Sequence, residues 1–306
     1  MTCGFLYSAA MKSALVAVDP LELKGSRFDR FCEKIRFLQE KGFVSRVSVA
    51  AVVHRSQYLM PYSYYNENKD ELAKEARSDV QRACEGKLPY HTVRVLQSGS
   101  HANEELVAHL SRHGKRLNSD ILIIASNDRT GLPYWFLGSF AETASLTATM
   151  PVLVLKNSTP MAKLASKPLL VVPIDVSAPP VARDVAWIAN FSRSTGSRLS
   201  LVYVVPKQRI VVDALQERKN KDEAKRVLNR VAAALESKGA LATTTIVVSE
   251  SRSIAHSIVD FSEKEKAWMT IATSPKRKKL RRLLLGSNAR HVLALSKRPF
   301  LSLRFG

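Results

Sequence analysis

Two aspartates in this chain each end a short apolar run, at Ala14–Asp19 and at Leu169–Asp175. More than a hundred residues after each aspartate comes a Gly-Ser pair, Gly138-Ser139 in one case and Gly286-Ser287 in the other. A glycine lets the backbone approach a ligand, a serine supplies a hydroxyl, and a helix beginning there supplies free N–H groups and a positive dipole. The pattern predicts two nucleotide pockets. The alternative is that each aspartate only ends a strand and each serine only caps a helix.

The Gly-Ser pairs belong to a longer repeat. Pro151 and Pro299 follow the two serines at the same spacing, and an apolar run follows each proline. A repeat of about 150 residues is too long for a solenoid unit and fits two compact domains in tandem. The sequence predicts domains at residues 11–156 and 168–306, with a polar linker at 157–167.

Apolar segments typical of strands alternate with amphipathic segments typical of helices, and each half has the order β-α-β-α-β-α-β-α-β. This order predicts two five-stranded parallel sheets with helices on both faces. Among the predicted elements are a strand at Tyr90–Leu96, a long charged helix at Glu217–Lys238 and a helix at Ile254–Lys264. In such sheets ligands bind beyond the carboxyl ends of the strands, where the strand order reverses, and both aspartates are expected there.

The charge is unevenly distributed between the halves. The formal net charge is +20. Residues 1–160 carry 20 basic and 16 acidic side chains, whereas residues 161–306 carry 27 and 11. The excess in the second half indicates an anionic partner, for which phosphate ligands, nucleic acid and an acidic membrane surface all qualify. The alternative is a solvated surface that only aids solubility.

Other patterns limit the classes of function. No apolar run is long enough for a membrane span, and no signal peptide is visible. Three cysteines without metal-ligand spacing favour a reducing compartment, so we expect a cytoplasmic protein. His109 and His113 have a spacing that zinc-binding helices use, but no further ligands are recognisable and we expect no metal. Residues 1–10 do not fit the repeat and are expected to be an extension.

The repeated phrases resemble the universal stress protein family along essentially the whole chain. The resemblance rests on Arg129–Leu132, Leu137–Ser139, Pro151–Leu155 and Pro173–Ser177. It implies two tandem flavodoxin-like α/β domains, in a family of which many members bind ATP. Family members commonly dimerise through their last strands, which implies that Val152–Leu155 and Phe300–Leu303 pair within one chain. A further homodimer stays open.

The resemblance also separates the two pockets. The family's loop glycines are replaced by Ala125 and Asp128 in the first copy and by Thr273 and Lys276 in the second. A carboxylate at Asp128 would repel phosphate. We therefore expect a degenerate first pocket. Its candidate residues are Asp19, Asp128, Gly138 and Ser139.

The second pocket is the better candidate for an anionic ligand, because the cationic run Lys276–Arg282 leads into its helix. Its candidate residues are Asp175, Thr273, Ser274, Lys276, Gly286 and Ser287. By the resemblance, Asp175 would face the base or ribose, and the others would hold phosphate.

The predicted function is a stress-response protein that binds or senses ATP or a related nucleotide without being an enzyme. Two alternatives stay open. One is a nucleic-acid-associated protein acting through the basic second domain, and the other is a slow ATPase.

Overall fold

A computed structural model describes most of the chain. The described residues are 13–54, 69–98, 102–126, 139–158, 167–205, 214–249, 253–273 and 287–305. Residues 1–10, most of the predicted linker and the run Lys276–Arg282 lie outside them.

The first half alternates strands and helices in the predicted order. Its elements are β1 (Ser13–Val18), α1 (Ser26–Glu40), β2 (Arg46–His54), α2 (Lys69–Cys84), β3 (Thr92–Ser98), α3 (Asn103–Arg116), β4 (Ile121–Ser126), α4 (Ser139–Thr147) and β5 (Val152–Lys156).

The second half repeats this order. Its elements are β6 (Leu169–Pro173), α5 (Ala182–Thr195), β7 (Arg198–Val205), α6 (Ala214–Glu236), β8 (Ala242–Val248), α7 (Ile254–Lys264), β9 (Met269–Thr273), α8 (Ser287–Leu295) and β10 (Phe300–Leu303).

All ten strands form one sheet in the order β3-β2-β1-β4-β5-β10-β9-β6-β7-β8. Pairing is parallel within each half, and the two halves meet where β5 and β10 pair in antiparallel fashion, with Phe300 opposite Val154 and Ser302 opposite Val152. The predicted pairing of the last strands within one chain is therefore confirmed. Because β5 and β10 run in opposite directions, the carboxyl ends of the strands lie at opposite edges of the sheet in the two halves.

Helices cover both faces of the sheet, as predicted. Buried side chains of α1, α2, α5 and α6 pack on one face, and those of α3, α4, α7 and α8 pack on the other. Successive strand residues alternate between the two cores, as the period of a strand requires: Ala14 and Val16 belong to the first core and Leu15 to the second. Each fully buried aliphatic side chain contributes about 1.5–3 kcal/mol.

An aromatic cluster connects the halves on the α1 face. Phe43, which follows α1, stacks on Trp268, with ring centroids 4.2 Å apart. Phe191 of α5 lies 6.3 Å from Phe43 and 5.1 Å from Trp187. All four side chains are buried. The two halves thus share one core on this face.

The two described cysteines pack in the core as small apolar residues. Cys32 and Cys84 are buried free thiols on α1 and α2. Burial raises the pKa of Cys32 to about 12 and that of Cys84 to about 11. Both thiols are therefore protonated and unreactive at neutral pH.

Two predicted boundaries are wrong by a few residues. The strand predicted at Tyr90–Leu96 begins at Thr92 and continues to Ser98. The His91 N–H donates to the Val47 carbonyl, and the regular hydrogen-bond ladder with β2 starts after that bond. The helix predicted at Glu217–Lys238 begins earlier, at Ala214, and ends at Glu236.

Candidate functional site

A cavity of about 310 Å³ opens at the carboxyl edge of the first half. It lies beside the ends of β1 and β4, which are neighbours in the sheet although β2 and β3 lie between them in sequence. The strand order reverses at this point, which is where open parallel sheets bind ligands. The lining residues are Ala17, Val18, Asp19, Glu22, Arg27, Phe28, Phe31, Val52, Asn103, Leu106, Leu110, Ile124, Ala125, Ser126, Phe140, Ala141 and Asn157.

Asp19 is held by its own backbone turn. The Leu21 N–H donates to Oδ1 of Asp19 at 2.9 Å, and the Glu22 N–H donates to the Asp19 carbonyl at 3.0 Å. Desolvation raises the pKa of Asp19, the bond from Leu21 lowers it and the charge of Glu22 raises it, with a net rise. Oδ2 accepts no hydrogen bond from the described residues, so it is available to a donor in the cavity.

Asp175 has the same geometry in the second half. The Ser177 N–H and hydroxyl both donate to Oδ1 of Asp175, at 2.9 and 2.6 Å. The Ala178 N–H donates to the Asp175 carbonyl at 3.0 Å. Burial and then the charge of Asp175 raise the pKa of Tyr203, which indicates that the carboxylate lies near this ring. The repeated turn confirms that the two aspartates are equivalent in position.

Apolar side chains from three helices form the walls of the cavity. Phe28 and Phe31 lie one turn apart on α1, and Leu106 and Leu110 lie one turn apart on α3, so each pair shares a side of its helix. Phe140 contributes a third ring from the first turn of α4. A cleft with aromatic walls and few polar groups suits a flat, partly apolar ligand.

Asn157 is placed at the cavity by a buried lysine. Nζ of Lys34, on α1, donates to the Asn157 carbonyl at 2.8 Å and also to the Lys156 carbonyl. Lys34 is only 6% exposed. Its two bonds fix the end of β5 against the helix that carries Phe28 and Phe31. One wall of the cavity therefore has a rigid support.

The remaining polar groups are few and mixed in charge. Glu22 adds a second carboxylate and Arg27 adds one guanidinium near the start of α1. Asn103 is the first residue of α3, and Ser126 is the last residue of β4. With two carboxylates and one cation among the described lining residues, the cavity has no excess of positive charge for a polyphosphate.

The structure brings some of the predicted site residues together. Asp19 and the first turn of α4 meet at the cavity, and α4 and α8 begin at Ser139 and Ser287, as predicted. In the second half, Asp175 follows β6 and Thr273 ends its neighbour β9, so both lie at the same edge. Other predicted site residues lie outside the described residues: Asp128, Gly138, Ser274, Lys276 and Gly286.

Sequence reasoning missed most of the lining. Phe28 and Phe31 have the spacing of one helix face, but that spacing gives no sign that they border a cavity. Arg27, Asn103 and Asn157 were not identified at all. The strand-reversal rule could have found them, because it marks the starts of α1 and α3 and the end of β5 as the surroundings of the β1–β4 cleft.

Within the described ranges, no group of three His, Cys, Asp or Glu side chains is arranged to hold a metal ion. Of the helices that the structure describes, none has the length and apolar character to cross a membrane.

Solved structures share this fold along the whole chain. A universal stress protein from Archaeoglobus fulgidus DSM 4304 aligns with 97% of this chain and 99% of its own, at 14% identity and a TM-score of 0.59. A protein assigned to the universal stress proteins from Pseudomonas aeruginosa UCBPP-PA14 aligns with 96% and 94%, at 16% identity and a TM-score of 0.58. A protein of unknown function from Pseudomonas aeruginosa PAO1 aligns with 96% and 93%, at 17% identity and a TM-score of 0.58.

Sequence comparison gives different results for individual curated proteins and for family models. No curated protein matches it. The model of the universal stress protein family matches residues 169–304, which run from β6 to the residue after β10. The first half repeats the same strand order and the same aspartate turn. Residues 169–304 therefore match the universal stress protein family, and over its full length the chain shares the fold of solved universal stress proteins.

Proposed function

We propose that this protein is a stress-response binding module whose first domain takes the nucleoside part of a nucleotide. The observation that carries the proposal is the cavity at the β1–β4 switch point with Asp19 at its edge. An ionised carboxylate is an acceptor only, and the hydroxyls of a ribose are donors. Oδ2 of Asp19 is thus suited to the sugar, and the partly buried ring of Phe140 is suited to a base, next to the apolar wall that the buried Phe28 and Phe31 form.

The size and charge of the cavity favour a short ligand. Small-molecule pockets have volumes of about 300–1,000 Å³, and this cavity lies at the lower end of that range. Glu22 and Asp19 oppose a polyphosphate, in the same sense as the repulsion predicted for Asp128. The N-termini of α3 and α4 can accept one phosphate group. We therefore propose a nucleoside monophosphate in preference to ATP at this site.

The preference for the second domain that was inferred from sequence stays a prediction. Asp175 has the same turn as Asp19, and the cationic run before α8 would complement a more highly charged ligand. The two domains would then differ in the number of phosphates that they accept. As for catalysis, the described cavity lining contains no histidine, cysteine or lysine, which supports a binding role.

Calorimetric titration of the full chain with adenosine, AMP, ADP and ATP tests the proposal. Asp19→Asn should weaken AMP binding at least tenfold, because an amide donates where the ribose also donates. The matched control is Asp175→Asn, at the equivalent position of the second half, which should leave AMP binding unchanged. The opposite result would assign the AMP site to the second domain.

Phosphate release from ATP tests the slow-ATPase alternative with the same variants. We expect no release above that of a buffer blank over several hours. Steady release that Asp19→Asn or Asp175→Asn abolishes would make the protein an enzyme and contradict the binding role.

A further inference from the structure

Helix α6 carries a row of exposed cations that the nucleotide site does not use. Between Arg218 and Arg230 the helix has six cationic and two anionic side chains. Lys219, Arg226 and Arg230 are exposed and lie within about 40° of one another around the helix axis, at 100° per residue. The row is about 16 Å long, from the rise of 1.5 Å per residue.

Glu223 is exposed on the same side of α6, but among the described residues no carboxylate pairs with these cations. Ion pairs within the described part of the chain do not include Lys219, Arg226 or Arg230. Beyond the end of α6, Nη1 of Arg193 donates to the Lys238 carbonyl at 3.1 Å. This bond places another exposed guanidinium just beyond the C-terminal end of α6.

The equivalent helix of the first half has no such excess. Over its whole length α6 has six cationic and four anionic side chains, whereas α2, which occupies the same place in the strand order, has four of each. Its Arg82 also forms an ion pair with Asp79 at 3.4 Å. Two copies of one fold therefore differ in the charge of the same outer helix, which the shared core does not require.

The buried side of α6 excludes insertion of this helix into a lipid bilayer. Its apolar residues Ala224, Leu228, Val231 and Leu235 are buried in the core. A helix that lies on a membrane needs a large apolar side free to enter the lipid. No exposed large hydrophobic residue among the described residues lies on α6. Charge is therefore the means by which this surface can attract a partner.

A polymer with regularly spaced phosphates fits a straight row of cations. Lys219, Arg226 and Arg230 are about 10 and 6 Å apart along the helix axis. These separations correspond to about three and two phosphate steps of one strand, since its phosphates advance by about 3.4 Å each along a duplex. We propose that α6 is a nucleic-acid-binding surface that contacts the phosphate backbone without reading sequence. It acts separately from the nucleotide cavity of the first half.

Fluorescence anisotropy with labelled 20-nucleotide single strands and 20-base-pair duplexes tests this surface in the full chain. The variant is the triple charge reversal Lys219→Glu, Arg226→Glu and Arg230→Glu. It should weaken binding at least tenfold at 100 mM salt. It should also reduce the slope of log K against log salt by about 2–3, since each phosphate contact contributes about 0.7–0.9.

The matched control reverses three exposed cations of α2, as Lys74→Glu, Arg77→Glu and Arg82→Glu. Both triples change the net charge equally, so equal losses of affinity would mean that only total charge matters and would overturn the proposal. An α6 triple that binds like the parent would overturn it as well. So would binding to phosphatidylserine vesicles that depends on α6 while neither nucleic acid binds.

Two further variants keep the result interpretable. If the α6 triple does not fold by circular dichroism, Lys219→Gln, Arg226→Gln and Arg230→Gln remove the charges without reversing them. This variant should give a smaller loss of affinity and a similar reduction of the salt slope. Asp19→Asn should leave nucleic-acid binding unchanged. Failure of AMP binding and failure of nucleic-acid binding are therefore separate outcomes.

Discussion

Nζ of Lys156 lies 2.8 Å from the carbonyl oxygen of Ala294, and this bond crosses from the first domain to the second. Lys156 ends β5, and Ala294 is in the last turn of α8, where helix carbonyls lack partners within the helix. A cation there also complements the negative end of the helix dipole. The lysine is only 6% exposed, so the bond is shielded from water.

Lys156→Met should lower the free energy of unfolding by about 1.5–3 kcal/mol, because it keeps the apolar stem and removes a buried charged donor. The matched control is Arg290→Met, which removes a cross-domain ion pair to Glu142 whose side chains are only partly buried. That change should cost about 0–1 kcal/mol. Urea denaturation measures both, and equal losses would mean that burial does not strengthen the lysine's bond.

Phe43→Ala should uncouple the domains. Phe43 stacks on Trp268 from the other half, so the change opens a cavity between the halves and should cost about 3–5 kcal/mol. We expect the parent protein to unfold in a single calorimetric transition and the Phe43 variant to unfold in two. Phe37→Ala is the control, because Phe37 is only half-buried and belongs to neither core. A single transition in the Phe43 variant would show that strand pairing alone couples the domains.

The regular elements could be predicted from sequence because their signals are local. Helix α7 at Ile254–Lys264 and strand β10 at Phe300–Leu303 have the predicted bounds. In both elements the apolar residues have a regular spacing, and the residue at which the element ends is recognisable from the sequence. The start of β3 was placed two residues early because Tyr90 is a typical strand residue, whereas the ladder begins only where β2 supplies partners.

The site was only partly predictable, and the reason is distance along the chain. Asp19 and Asp175 could be found because each directly follows a strand. Lys34 could not, since a lysine within a helix is usually solvated, and its burial depends on the end of β5, 122 residues away. The support that it gives to Asn157 is a tertiary contact with no local signal.

Stability should fall with falling pH in part through His113. Desolvation, with the charges of Arg94 and Arg116, lowers the pKa of His113 below its ordinary 6.5. As the pH decreases below 6.5, the unfolded chain binds a proton that the folded chain does not, so the folded state loses stability until its own lower pKa is reached. Urea midpoints from pH 7.5 to 5 should therefore decrease.

His113→Gln should flatten that dependence, because the amide does not titrate. The exposed His91, changed to Gln, is the control and should keep the dependence of the parent. If the His113 variant loses stability with falling pH as steeply as the parent does, then other groups cause the decrease.

Gly114→Ala should destabilise the first domain. A Cβ at this position of α3 would lie 2.7 Å from Sδ of Met150 and 3.4 Å from Cδ2 of Leu15. Overpacking of this kind costs about 1–3 kcal/mol, more than the gain of about 1 kcal/mol in helix propensity. In a Met150→Ala background the same methyl group should be stabilising. A double-mutant cycle without that change of sign would contradict the clash.

The β5–β10 junction also determines how the two halves can diverge. A pair of identical subunits joined at the same strands would carry every substitution twice, once on each side of its symmetry axis. Here both copies belong to one chain, so a substitution in α6 has no counterpart in α2 unless it arises separately. The excess of cations on α6 is one difference of this kind. Another is Ser177, whose hydroxyl donates to Asp175, whereas the equivalent position after Asp19 is Leu21. Covalent fusion thus removes the symmetry constraint, and one half can specialise while the other preserves the fold.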